Sequence, residues 1–178
     1  AGAYELSFGG VGAKYAYAVH ADNLLVEGVE TLVFGDSYTS KTYWTQFDSQ
    51  MSDIGALTIG VSGSEVSNWT GRVSEFRLYN PKNIVVHIGV NDINRNRGTG
   101  EKVGESIVAL LESIREMFPD AKIFYVSICH NKSNTSKWSE YDASNATVKE
   151  YIDRTQGLYY IDYASKLEEV KGTLQNGG

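Results

Sequence analysis

From residue 31 onward, short apolar runs rich in β-branched residues alternate with longer stretches in which apolar residues recur every three or four positions. The first pattern suits a strand buried on both faces and the second an amphipathic helix, so their alternation predicts a parallel α/β sheet. Five strands are expected at Thr31–Phe34, Ala56–Val61, Asn83–Ile88, Lys122–Ile128 and Leu158–Ile161. Between them, Trp44, Phe47 and Met51 form one helical stripe after the capping candidates Thr39 and Ser40, and Val66, Trp69, Val73 and Phe76 form another after Ser64. The longest stripe runs through Val103, Ile107, Leu110, Leu111, Ile114 and Met117 and stops at Pro119. A fourth helix is predicted from Ala143 to Ile152. Strand-then-helix units of this length connect right-handedly and place helices on both faces. The expected fold is therefore a three-layer α/β/α sandwich around a central parallel sheet of about five strands, with its site at the strands' C-terminal ends.

Residues 1–29 break this pattern. Tyr4–Phe8 and Lys14–Val19 read as strands around the turn glycines Gly9, Gly10 and Gly12, and Asp22 to Glu30 as a short bridge. The expectation is a β-rich segment at 1–29, the end of a preceding module, followed by one domain over 30–178. A 178-residue chain can bury a core without disulfide or metal staples. Its 42% hydrophobic and 21% charged residues argue against disorder and coiled coil. The net charge of −6, with no basic run, argues against nucleic acid or an anionic membrane surface as partner. The longest apolar runs are strand-sized, so no membrane span is expected, and no signal peptide pattern is present. The single cysteine, Cys129, excludes an intrachain disulfide framework and a cysteine-cluster zinc site. Three histidines without ligand spacing give no metal signature, and neither metal nor cofactor is expected. The chain opens on Ala1 rather than Met, which reads as a processed or trimmed product.

Candidate chemistry lies where strands give way to helices. Gly35-Asp36-Ser37-Tyr38 follows the first strand, and a serine at such a turn presents its hydroxyl over the sheet with its own N–H facing a developing oxyanion. A helix-capping serine would look the same. After the second strand comes Gly60-Val61-Ser62-Gly63-Ser64, where Gly63 can offer a backbone N–H unblocked by a side chain. After the third comes Gly89-Val90-Asn91-Asp92, where Asn91 can offer a neutral amide donor. The Ser37 N–H, Gly63 N–H and Asn91 side chain would be three donors for one oxygen, as acyl transfer requires. His87, inside its strand, is expected to be a buried, hydrogen-bonded core residue. His130 emerges at the same sheet edge after the fourth strand, as a loop residue or substrate contact in preference to a base. Cys129 reads as a buried thiol, His20 has no assigned role, and Trp44 and Trp69 belong to the core. Trp138, in the polar loop Asn131–Tyr141, is the best candidate for an exposed aromatic platform.

These blocks resemble the SGNH hydrolases, or GDSL-type esterases, and bacterial carbohydrate acetylesterase-like members among them. Gly35-Asp36-Ser37-Tyr38 resembles the nucleophile block, Gly63 the glycine block and Gly89-Val90-Asn91-Asp92 the Gly-x-Asn-Asp block, in the family's order, over about Glu30 to Leu174. The resemblance implies a flavodoxin-like sandwich, Ser37 as nucleophile, and an oxyanion hole from Ser37, Gly63 and Asn91. It also implies an Asp-x-x-His block supplying the general base, and no such motif occurs in the 178 residues. Ile161 to Leu174 resembles what precedes that block, so the expected domain lacks its base-bearing segment. Without a base, a serine hydroxyl is a poor nucleophile at neutral pH.

The expected function is hydrolysis of small acyl esters, with acetyl groups on carbohydrate as the family-based substrate. The alternative is a non-catalytic carbohydrate- or ester-binding domain that has lost its base. A nucleotide or flavin binder would need a phosphate loop after the first strand, and Gly35-Asp36-Ser37-Tyr38 is a poor one. The expected partners are a small-molecule or carbohydrate ester and a neighbouring β-rich carbohydrate-binding module, and the expected location is secreted or cell-surface, with the cytoplasm left open.

Overall fold

A computed structural model describes residues 3–5, 18–20, 29–40 and 50–167. Two short strands, β1 (Ala3–Glu5) and β2 (Ala18–His20), pair antiparallel. The other five, β3 (Thr31–Gly35), β4 (Ala56–Gly60), β5 (Asn83–His87), β6 (Lys122–Val126) and β7 (Leu158–Ile161), form one parallel sheet in the order β4-β3-β5-β6-β7. The chain steps from β3 to β4 on one side and then crosses back to β5 on the other. This is the flavodoxin-like winding, and the crevice where the order reverses lies at the C-terminal ends of β3 and β5.

Helices that lie wholly within the described residues are α1 (Val66–Thr70), α2 (Val90–Asn94), α3 (Gly100–Met117) and α4 (Trp138–Asp153). The α3 stripe gives Ile107, Leu110, Leu111 and Ile114, all fully buried, against Leu32, Phe34, Ile84, Val86 and Ile123 of the strands. Each such side chain stabilises the fold by about 1.5–3 kcal/mol relative to exposure. Phe34 stands 5.0 Å from Trp69 and 4.9 Å from Phe76, ring centre to ring centre, so the site-bearing strand is packed against the α1 region. Thr99 caps α3, accepting from the Lys102 N–H, and Phe118, buried at the C-cap, ends it before Pro119.

Several elements differ from the pattern-based expectation. Val66, Trp69, Val73 and Phe76 are all buried, but the helix breaks at Gly71-Arg72 into α1 and a 3-10 segment, Val73–Leu78. Glu65, not Ser64, caps α1, because Glu65 and Asn68 exchange bonds in a capping box while the Ser64 hydroxyl is spent elsewhere. Met117 is 38% exposed, because the stripe turns outward in the last turn and Phe118 takes the core position. Trp138 opens α4 and is not in a loop; a 3-10 segment, Lys132–Lys137, precedes it. The helix expected around Trp44 and Phe47 falls mostly on 41–49, outside the described residues, as do most of the N-terminal strand positions. No helix among the described residues is long and apolar enough to cross a membrane.

Candidate active site

The register places three strand ends level. Gly35 of β3 lies beside Gly60 of β4 on one side and beside His87 of β5 on the other. Parallel neighbours are about 4.8 Å apart, so the segments leaving these ends start as one row. Two further backbone bonds extend it: Asp36 N–H donates to His87 O at 3.2 Å, and Val61 N–H to Gly35 O at 3.0 Å. Gly60 is held so closely against the next turn that a Cβ there would stand 2.2 Å from the Ser40 nitrogen.

Ser37 opens a 3-10 turn, Ser37–Thr39, one residue past that row, and is half-buried. The turn is set by Asp36, which is fully buried. Its Oδ1 accepts the Tyr38 N–H at 3.0 Å, and its carbonyl accepts both the N–H and the hydroxyl of Thr39 at 3.1 Å. Asp36 Oδ1 also lies 3.3 Å from His87 Nδ1, and Tyr38 packs on the imidazole with ring centres 4.7 Å apart. Burial, reinforced by the Cys129 thiol beside it, pushes the Tyr38 hydroxyl up to about 12. His87 is thus the buried, hydrogen-bonded residue expected of it, 3% exposed. Cys129 is buried, and so is Trp69.

Gly63 and Asn91 arrive from the two strands that flank β3. Gly63 has φ +76°, the left-handed region in which a side chain would be strained. Asn91 lies in the first turn of α2, and its Nδ2 donates to the Ser64 carbonyl at 2.9 Å, which joins it to the Gly63-Ser64 loop. Asp92, one residue on, accepts the Val66 N–H at 3.2 and 3.1 Å, and burial pushes its carboxyl up to about 6. The Ser64 hydroxyl closes the circuit, donating to Gly35 O at 3.2 Å and accepting the Trp69 indole N–H at 3.0 Å. The three loops bearing Ser37, Gly63 and Asn91 are therefore interlocked at one sheet edge. Such an arrangement can offer two N–H groups and an amide to an oxygen beside a hydroxyl. The sequence reading gave Ser64 and Asp92 no part in joining these loops. Their signal, polar residues clustered immediately after strand ends, is too common to single them out.

His130 stands apart from that circuit. Its Nε2 lies 2.8 Å from Asp142 Oδ1, and its ring stacks on Trp138 with centres 4.5 Å apart and planes within 5°. The Trp138 indole N–H donates to Asn131 O at 2.9 Å. Lys137 reaches Asn96 Oδ1, and the Tyr141 hydroxyl donates to Asn94 Oδ1 at 2.5 Å, so this wall is tied to α2 and the loop after it. His20 lies in β2, within the antiparallel pair. Among the described residues, no group of three or more His, Cys, Asp or Glu could hold a metal ion.

Comparison with known proteins adds to this geometry. The chain is 32% identical over 100 residues, 56% of its length, to the platelet-activating factor acetylhydrolase IB subunit beta homolog of Drosophila melanogaster. It spans 40% of that relative's length. Among solved structures, it superposes with TM-score 0.65 on a member of the lipolytic G-D-S-L family from Veillonella parvula, at 16% identity, covering 81% of this chain and 82% of the other. It also superposes with TM-score 0.58 on a family 3 carbohydrate esterase from Clostridium thermocellum, at 16% identity, covering 74% and 76%. At these identities the structural likenesses establish the fold. The profile of the GDSL-like lipase/acylhydrolase family matches residues 33–178, which include all three interlocked loops, and the chain belongs to that family.

Proposed function

We propose that the protein is a serine ester hydrolase in which Ser37 attacks the acyl carbon, with the Ser37 N–H, the Gly63 N–H and the Asn91 amide receiving the carbonyl oxygen. The observation that carries this reading is the Asn91 Nδ2 bond to Ser64 O at 2.9 Å, which brings an amide donor from β5 to the Gly63 loop beyond β4 on either side of the Ser37 turn. As the carbonyl becomes tetrahedral its oxygen gains charge, and fixed donors lower that state more than the ground state. Collapse of that state breaks the ester C–O bond and expels the alcohol, which carries away the serine's proton; water then attacks the acyl-serine, returns a proton to Ser37 and releases the carboxylic acid.

The serine needs a proton acceptor, and neither histidine at this sheet edge supplies it in our reading. His87 is enclosed by Asp36 and Tyr38, and His130 is held by Asp142 and Trp138. The family resemblance implies an Asp-x-x-His block for that role. Acetyl groups on carbohydrate are the proposed substrate, supported by the fold likeness to carbohydrate esterases. The commitment of both histidines equally favours a second reading, an ester-binding domain without turnover.

The test is hydrolysis of nitrophenyl acetate and of acetylated oligosaccharides by the full-length protein and its Ser37→Ala and His130→Ala variants. The first variant is expected to abolish turnover with folding intact, and the second to retain it. Binding of acetylated sugar without any Ser37-dependent hydrolysis would establish the second reading.

A further inference from the structure

Arg95, the residue that ends α2, touches both of the loops that carry the outer oxyanion donors. Its backbone N–H donates to Asn91 O at 3.0 Å, and its Nη1 donates to Gly63 O at 2.7 Å. Its Nη2 lies 3.0 Å from the place a Cβ on Gly63 would occupy, so the guanidinium covers the open side of that glycine. We infer that Arg95 is a positioning residue that fixes the Gly63 N–H and the Asn91 amide relative to each other across β3. The inference rests on the assignment of these two groups as oxyanion donors.

Gly63 sits at φ +76°, and a residue without Cβ populates left- and right-handed basins about equally, so its N–H direction is not set by its own sterics. A bond at its carbonyl selects one basin. Within the loop the Ser64 N–H closes a turn on Val61 O at 3.0 Å; from α2, Asn91 grips Ser64 O, Asp92 grips the Val66 N–H, and the Arg95 guanidinium reaches Gly63 itself. The guanidinium is in turn held by Glu65. Nη1 lies 2.7 Å from Glu65 Oε1, and Arg97 Nε lies 3.0 Å from Glu65 Oε2, so one carboxylate fixes two arginines. Although about half of the Arg95 side chain faces solvent, its Glu65 partner is only 13% exposed. The Arg95 bond holds the Glu65 carboxyl below its usual range, as a fixed ion pair requires. Exposed pairs contribute little to stability. The worth of this one lies in aim, since misplacing a reacting group or donor by about 1 Å can cost up to about 100-fold in rate.

The experiment measures amide hydrogen exchange and steady-state kinetics on the full-length protein and its Arg95→Ala and Arg95→Lys variants. In Arg95→Ala, exchange at Ser64, whose N–H closes the turn on Val61 O at 3.0 Å, is expected to quicken at least about tenfold, while Leu32 and Phe34 in β3 keep their rates, because only the loop is released. The kcat for nitrophenyl acetate is expected to fall about 10–100-fold with KM unchanged, and Arg95→Lys, which keeps a donor but not the planar fork, to lie between. Unchanged exchange at Ser64 would overturn the inference, as would faster exchange with kcat intact. Faster exchange in a protein with no Ser37-dependent hydrolysis would instead overturn the esterase reading and leave the tie between the loops standing.

Discussion

The two walls of the crevice are built from different materials. On the β4–β3–β5 side, backbone and buried side chains do the holding: three level strand ends, the fully buried Asp36 carboxylate, and the Ser64 hydroxyl between Gly35 O and the Trp69 indole. Beyond β6, the wall of 130–142 is held by partly exposed side chains, the His130–Asp142 pair, the Trp138 stack and the Lys137–Asn96 contact. Buried networks in a low dielectric are worth more and cost more to break than exposed ones. The first wall is thus expected to hold the chemistry in place, and the second to be open to change with the substrate's leaving group.

The largest effect should come from forcing the first wall apart. Gly60→Ala places a Cβ 2.2 Å from the Ser40 backbone nitrogen, where nothing flexible can give way, and is expected to destabilise the protein by at least about 3 kcal/mol in denaturant unfolding. Gly71→Ala, where a Cβ meets nothing within 4 Å, is the matched control and should be near neutral. Next is Asn91→Ala. As an oxyanion donor it should lower kcat about 10²–10³-fold with little change in KM, measured on nitrophenyl acetate. Loss of thermal stability with kcat preserved would mean that its bond to Ser64 O only shapes the loop.

How much of this contrast was legible beforehand follows the same division. The buried strands announced themselves because parallel strands covered on both faces are apolar throughout, and four of the five expected segments run past the observed ends by only one or two residues or stop one short. Ser37, Gly63 and Asn91 could be singled out because each follows a strand end in a short recognisable block. The ties among them could not. Asp92 to Val66 and Arg95 to Gly63 bridge 26 and 32 positions, and nothing local in the sequence pairs them. Trp138 misled because Lys132-Ser133-Asn134-Thr135-Ser136-Lys137 has loop composition, yet it folds as a 3-10 turn leading straight into α4.

A subtler effect concerns pH. Burial raises Asp92 to about 6 in the folded protein against 3.8 for a free carboxyl. A raised carboxyl favours the fold fully while both states are protonated, below about pH 3.8, and that contribution is lost as the pH rises through about 6. Asp92→Asn keeps an acceptor for the Val66 N–H without the ionisation. The difference in melting temperature, variant minus wild type, should therefore be near zero at pH 3.5 and positive at pH 8; a difference independent of pH would contradict the burial account.

The smallest effect belongs to the second wall. Trp138→Ala removes the stack on His130 at a partly exposed site and should cost about 1 kcal/mol or less of stability. Turnover of nitrophenyl acetate should be unchanged, while turnover of acetylated oligosaccharide falls if the wall contacts the sugar.

Full-length protein treated with an organophosphonate, digested and mapped by mass, is expected to carry one phosphonyl group on the peptide containing Ser37, at a rate that drops when Asn91 is replaced by alanine. Labelling elsewhere, or none in a protein that hydrolyses nitrophenyl acetate, would contradict the claim that Ser37 is the nucleophile of this site.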